Sequence, residues 1–380
     1  MSARRAGLQW SLPILMSASL LVACSSDDEP SSTPRYTQPS DAASEEAPSD
    51  RPTSSGSSAD ADPRVVRTVA TDLAAPWGLA FLPDGTAIVT ERDTRRVLAI
   101  KGGTTREIAV LGSLPQTGEA GLLGVAVSPD FAQDRLLFFY LTTDSDNRIV
   151  RATFDGRSLG QPEPILTGIP RGFTHDGGRL AFGPDGALYA STGETGDTAL
   201  SQDRSSLGGK ILRIDTDGNP APGNPDPTSP IWTLGHRNVQ GLAFDDQDRL
   251  WASEFGAQDF DELNLIEAGG NYGWPKFEGK GGTAVFTDPQ VTWRTDEASP
   301  SGLAYLDGRL WMASLRGERL WSVRVVDGKA SDPQSYFVGK YGRLRTVVVA
   351  PDGDLWVTTS NRDTRGTPGP KDDQILVVRP

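Results

Sequence analysis

The chain is 380 residues long, with 50 acidic against 37 basic side chains, a formal charge of −13 and one cysteine. An acidic chain without a basic stripe argues against nucleic acid as a partner. A single thiol excludes internal disulfides and a cysteine-based metal centre.

Arg4 and Arg5 precede an apolar stretch, residues 12–22, that ends in Leu21-Val22-Ala23-Cys24. A positive start, a short apolar run and a small residue before the cut make residues 1–23 a secretory signal. The run is too short to span a bilayer. Leu-Val-Ala-Cys resembles a bacterial lipobox, which implies cleavage before Cys24 and lipidation of that residue. The plainer alternative is an ordinary signal peptide with an incidental cysteine. Residues 24–63 follow as a Ser-, Pro- and acid-rich segment. Such a segment buries too little apolar surface to offset its chain entropy and reads as a disordered tether. The expectation is an exported bacterial lipoprotein, in the periplasm or on the outer face of the cell membrane, attached to membrane through its lipid alone.

Residues 64–380 carry six copies of one pattern: an apolar strand, a tight turn and a second strand ending in polar residues. The copies begin at Trp77, Gly121, Gly177, Gln240, Ser301 and Arg345, and their turn aspartates are Asp84, Asp130, Asp185, Asp246, Asp307 and Asp352. Self-similarity at about 45–60 residues marks a radial β array. Each blade needs about four strands, so two more lie between copies, for example 148–154 and 210–215. The predicted fold is all-β, a six-bladed β-propeller of four-stranded antiparallel blades. The last run, 375–379, pairs with 65–69 and closes the ring. A β-sandwich or two smaller barrels fit the regular repeat less well. The Pro-rich stretch from Asp215 reads as a surface loop.

In a hairpin the first strand starts on the rim where the second ends. The turns therefore mark one face of the disc and the flanks mark the other. The flanks are polar: Glu119 before copy two; His175, Asp176 and Arg179 at copy three; His236, Arg237 and Asn238 before copy four; Arg343 and Arg345 at copy six. Copies one and five are leaner, with Trp77, Ser299 and Ser301. At the second-strand ends stand Glu91, Arg92, Glu194, Glu254, Arg316 and Asn361. Both histidines of the chain fall in this ring, and each could instead be a hydrogen-bonded structural residue. Arg343, Arg345 and Arg316 converging in an acidic protein point to a polyanionic ligand, because guanidinium grips carboxylates in pairs. Salt bridges to rim acids are the competing reading. The loop 253–262 is acid-rich and offers carbonyls and carboxylates to a hard cation such as Ca²⁺. A solvated loop is its default.

Together the strands and flanks resemble the soluble PQQ-dependent glucose and aldose sugar dehydrogenases over about residues 66–380. The resemblance is carried by APWGLAFLPDG from Ala75 with Thr90-Glu-Arg, GLLGVA from Gly121, HDGGRLAFGPDG from His175, LGGKILRI from Leu207, GHRNVQGLAF from Gly235 and GGNYGWP from Gly269. It implies a six-bladed propeller with PQQ and Ca²⁺ over the channel mouth. His175 matches the catalytic base. Arg237, Arg316, Arg343 and Arg345 match the residues that grip PQQ, Asn238 matches their amide neighbour, and Glu119 stands where glucose dehydrogenase has Gln. Gly256 and Ala257 match the segment whose carbonyls hold Ca²⁺. The implied reaction oxidises an aldose at its anomeric carbon to a lactone, with hydride transfer to PQQ and electrons passed to an external acceptor. Thr174 replaces an Asp, Ala257 a Pro, and Thr195 stands near a Gln, so substrate preference is expected to differ. Residues 277–288 are expected to read the sugar. Two other functions are compatible with a propeller: a Ca²⁺-dependent lactonase-type hydrolase, which wants carboxylates and amides at the centre, and a non-catalytic carbohydrate- or protein-binding lipoprotein.

Overall fold

A computed structural model describes residues 62–112 and 118–380. The signal, Cys24 and nearly all of the tether lie outside the described residues.

Each copy of the repeat folds into a hairpin because a tight turn sits between two apolar runs. The turn chemistry varies around the ring. Asp84, Asp185 and Asp352 accept the backbone N–H two residues on, the Asx geometry that Pro-Asp-Gly favours. In copy four Asp245, not the expected Asp246, takes this role, accepting from Gln247 and Arg249. In copy two the chain makes one short helix, Phe131–Asp134. In copy five Asp307 and Gly308 both have positive φ, at 51° and 75°, as a two-residue hairpin loop requires.

Among the described residues, 24 strands form six four-stranded antiparallel sheets. Blades one to five follow chain order, over residues 76–110, 122–169, 180–234, 239–294 and 300–336. Blade six is composite: Leu344–Val349, Leu355–Thr359 and Ile375–Arg379, with Arg64–Ala70 added on the outside. The closure pairs Val65 with Val378 and Thr68 with Leu376, with the register shifting between Val65 and Arg67 and again between Thr68 and Ala70. The architecture is the predicted propeller.

The strands read as continuous apolar runs rather than alternating ones because blades are covered on both faces. Six apolar clusters fill the six blade interfaces, one each. Leading strands meet in a closed ring at the axis. There the backbones come very close. A Cβ on Gly124 would lie 2.2 Å from the Gly178 carbonyl oxygen, and one on Gly241 2.4 Å from that of Ser301. Blade six carries Thr346 at this level, and its hydroxyl donates to the Trp77 carbonyl at 2.5 Å.

Candidate active site

The leading strands start at a cavity of about 810 Å³ on the face opposite the turns. Trp77, Glu119, His175, Arg237, Asn238, Ser299, Arg316, Arg343 and Arg345 all line it. The flank rule thus brings together seven of the site residues expected from sequence. Gly256 and Ala257 are not in the lining, although Phe255 is. No residue of 277–288, the loop expected to read the sugar, is in the lining. That loop packs Phe277 against Phe286 and reaches the 257–260 segment, where the Glu278 carboxylate accepts the N–H groups of Ala257, Gln258, Asp259 and Phe260.

The second-strand ends form a supporting layer behind the lining. The Glu254 carboxylate accepts the Arg237 N–H, Asn361 Oδ1 accepts that of Arg343 at 2.9 Å, and Glu91 Oε1 that of Ala74 at 2.8 Å. In blade three the equivalent residue, Glu194, is 1% exposed and bonds His175 Nδ1. Against a carboxylate, which only accepts, Nδ1 is the donor, and in the neutral imidazole Nε2 then keeps the lone pair. His175 itself sits at φ 59°, a conformation that is costly for a non-glycine residue. Its carbonyl is packed against Gly193, where a Cβ would lie 1.8 Å away.

The other histidine has a different place. His236 is fully buried, bonded to Glu254 and Thr233 at 2.8 Å each and stacked on Tyr272. It does not line the cavity. It shares Glu254 with the Arg237 amide and is structural.

The lining holds six arginines, at 92, 237, 316, 343, 345 and 365, against Asp93, Glu119 and Asp363. Asp363 takes both Arg343, through Nε and Nη2, and Arg345 Nη2 at 3.1 Å. Burial opposes ionisation of Asp363, but Arg345 and Arg343 outweigh it and hold its pKa at about 2. Arg345 also donates to Gln240 Oε1 and Ser360 Oγ. The expected competing role, salt bridging within the rim, is therefore real for this pair. Arg316 is exposed and makes no ion pair among the described residues. Glu119 binds Arg365 at 2.7 Å and accepts the His175 N–H at 2.9 Å. Burial works against its carboxylate, yet Arg365 and His175 lower its pKa below the usual value.

The sequence pattern does not single out Gln240, Asp363, Arg365, Phe173, Phe255 or Leu315, all of which line the cavity. For Asp363 and Arg365 a signal exists. Residues 361–365 read Asn-Arg-Asp-Thr-Arg, and 91–95 read Glu-Arg-Asp-Thr-Arg. The repeat extends past the second strand in copies one and six, and both aspartates reach the cavity.

This donor set fits a planar polycarboxylate. Arginines surplus to the lining acids, the Asn238 amide and Gln240 surround a volume sufficient for a cofactor-sized ligand. For a cation the fit is narrower. Among the described residues no group of three or more His, Cys, Asp or Glu could hold a metal. The Gly256 and Ala257 N–H groups are engaged, by Asp261 and Glu278. Neither carbonyl accepts a hydrogen bond from a described residue, which leaves both oxygens available to a hard cation.

The chain matches the family described as Glucose / Sorbosone dehydrogenase over residues 73–367. It is 29% identical to the aldose sugar dehydrogenase YliI of Escherichia coli over 329 residues, 75% of this chain and 86% of that protein. Identity to quinoprotein glucose dehydrogenase B of Acinetobacter calcoaceticus is 32% over 251 residues, 56% of this chain and 52% of that protein. Among solved structures, the PQQ-bound aldose sugar dehydrogenase of Streptomyces coelicolor is similar with a TM-score of 0.82 and 54% identity, covering 84% of this chain and 98% of that one.

Proposed function

The chain belongs to the Glucose / Sorbosone dehydrogenase family, and we propose that its channel-mouth cavity binds PQQ and oxidises aldose sugars with His175 as general base. It is an oxidoreductase of the PQQ-dependent aldose sugar dehydrogenase kind. The observation that carries the site reading is the pairing of His175 Nδ1 with buried Glu194 at the edge of an arginine-rich cavity.

When bound, PQQ supplies a two-electron acceptor for the anomeric hydride, and Ca²⁺ a Lewis acid. Arg343, Arg345, Arg237 and Arg316 would hold the cofactor carboxylates, with Asn238 beside them; carbonyls of Gly256 and Ala257 would serve the cation. Glu194 fixes the His175 tautomer, so Nε2 is the atom that takes the proton of the anomeric hydroxyl. The C–H electron pair leaves as hydride, the O–H proton goes to the imidazole, and the C–O bond becomes the lactone carbonyl. Glu194 then stabilises the imidazolium. Glu119 sets the His175 backbone through its N–H and ties that loop to Arg365. Electrons leave for an external acceptor. The lactonase reading is disfavoured because the centre presents arginine where that chemistry wants carboxylates. The lipobox supports lipid attachment at Cys24, and a Cys24→Ser variant should be lost from the membrane fraction.

The purified chain reconstituted with PQQ and Ca²⁺ should reduce an artificial dye when given aldoses. His175→Ala should lower turnover by at least ~10²-fold while PQQ absorbance is retained. No dye reduction across a broad sugar panel, with no PQQ retained, would sink the enzyme reading and favour a binding propeller.

A further inference from the structure

Arg179 directly precedes the leading strand Leu180–Phe182 and is 7% exposed. Its Nε donates to the Gln240 carbonyl at 2.7 Å, and its Nη2 to Thr346 Oγ1 at 3.1 Å. The guanidinium carbon lies 4.3 Å from the Trp77 ring centroid. All these partners are neutral. Among the described residues no carboxylate pairs with it. Burial first, and the like charge of Arg345 second, lower its pKa to about 9. The buried arginines of the cavity wall differ: Arg343 and Arg345 share Asp363, and Arg92 holds Asp93.

A buried charge without a counter-charge is costly, and proteins pair such groups. Trp77 and Gln240, which touch Arg179, and Arg345, which repels it, all line the cavity. Arg179 itself does not. It therefore stands one residue behind the floor, adding positive potential to a cavity already short of acids.

We propose that Arg179 is a positioning residue whose counter-charge is the bound polycarboxylate cofactor, acting through the cavity floor without touching it. The proposal rests on the PQQ reading above. It explains why a guanidinium is tolerated at the axis with only neutral partners: the site is electrostatically complete when an anion fills it. Trp77 serves as the spacer, offering its ring face to Arg179 on the hidden side.

The test uses ligand charge as the probe. Apo protein is titrated with PQQ and with its uncharged trimethyl ester, following tryptophan fluorescence. Arg179→Gln, which keeps hydrogen-bonding capacity but not charge, should weaken PQQ binding at least tenfold and ester binding less than threefold. Arg179→Lys, which keeps the charge, should hold PQQ binding within threefold of the parent. A Gln variant that binds PQQ as the parent does overturns the proposal and leaves the PQQ reading intact. So does equal weakening toward both ligands, which marks a packing role, and so does loss of folded protein in both variants. A parent that binds neither ligand overturns the PQQ reading and this proposal with it.

Discussion

Asp176, next to the proposed base, is a carboxyl whose protonation the fold shifts upward. Its Oδ1 accepts from Asn147 Nδ2 at 2.8 Å and from the Gly172 N–H at 3.0 Å, while Oδ2 is buried without a partner. Burial raises its pKa from 3.8 to about 6, and the Asn147 and Gly172 hydrogen bonds offset only part of that. The folded chain therefore holds this proton more tightly than the unfolded chain. The stability it contributes is full below about pH 4 and is lost as pH rises through about 6, at no more than ~1.4 kcal/mol per pH unit. Asp176→Asn cannot ionise, so denaturant midpoints between pH 4 and 7 should fall less steeply than in the parent. Superimposable pH profiles would show that Asp176 titrates normally. The same scale shows what sequence could not resolve. His175 and His236 occupy matching flanks, each with a glutamate at the second-strand end; the sequence set them apart only by the likelier contact residues beside His236 and by the resemblance of His175 to a catalytic base, with no geometric reason. The structure separates them by how each glutamate is used. Glu254 divides its two oxygens between His236 and the Arg237 amide. Glu194 gives one oxygen to His175 and leaves the other unpartnered.

The leading strand is the element that makes the site, because its start carries the lining residues and its middle must pack at the axis. The glycine in the middle was legible as part of the repeat, but its reason is spatial. The Gly124 N–H donates to the Gly178 carbonyl at 3.0 Å across the blade boundary, and a Cβ there meets backbone rather than a movable side chain. Gly124→Ala should cost about 1–3 kcal/mol, as overpacking in a close-packed core does, read from a shift in the denaturant midpoint. A midpoint within error of the parent would mean the ring can widen locally. Loops were the poorer part of the reading. Residues 277–288 were expected to read the sugar, yet it is the 360–374 connection that supplies Asp363, Thr364 and Arg365 to the cavity. The 360–374 segment leaves the end of the second strand of blade six, on the cavity face.

At the scale of the whole molecule, ring closure and site assembly depend on one strand. Ile375–Arg379 lies between Arg64–Ala70 and Leu355–Thr359, so it alone joins the two ends of the chain. It also anchors the segment that carries Asp363 to Arg343 and Arg345, and Arg365 to Glu119. Its Ile375, Leu376, Val377 and Val378 are each at most 2% exposed; Ile375 and Val377 belong to the cluster on one side of blade six and Val378 to that on the other. Burying four such side chains contributes about 1.5–3 kcal/mol each, comparable to the ~5–15 kcal/mol total stability of a typical fold. A chain ending at Gln374 should therefore fail to reach a cooperative folded state, with no sharp thermal transition by circular dichroism. A synthetic peptide of residues 371–380 added in trans should recover part of that transition, because the register is set by the flanking strands rather than by covalent continuity. Recovery should be greater with PQQ present, since a ligand that binds only the folded state adds to its stability. A truncated chain that melts like the parent would mean that blade six holds with three strands, and that the cavity does not depend on closure.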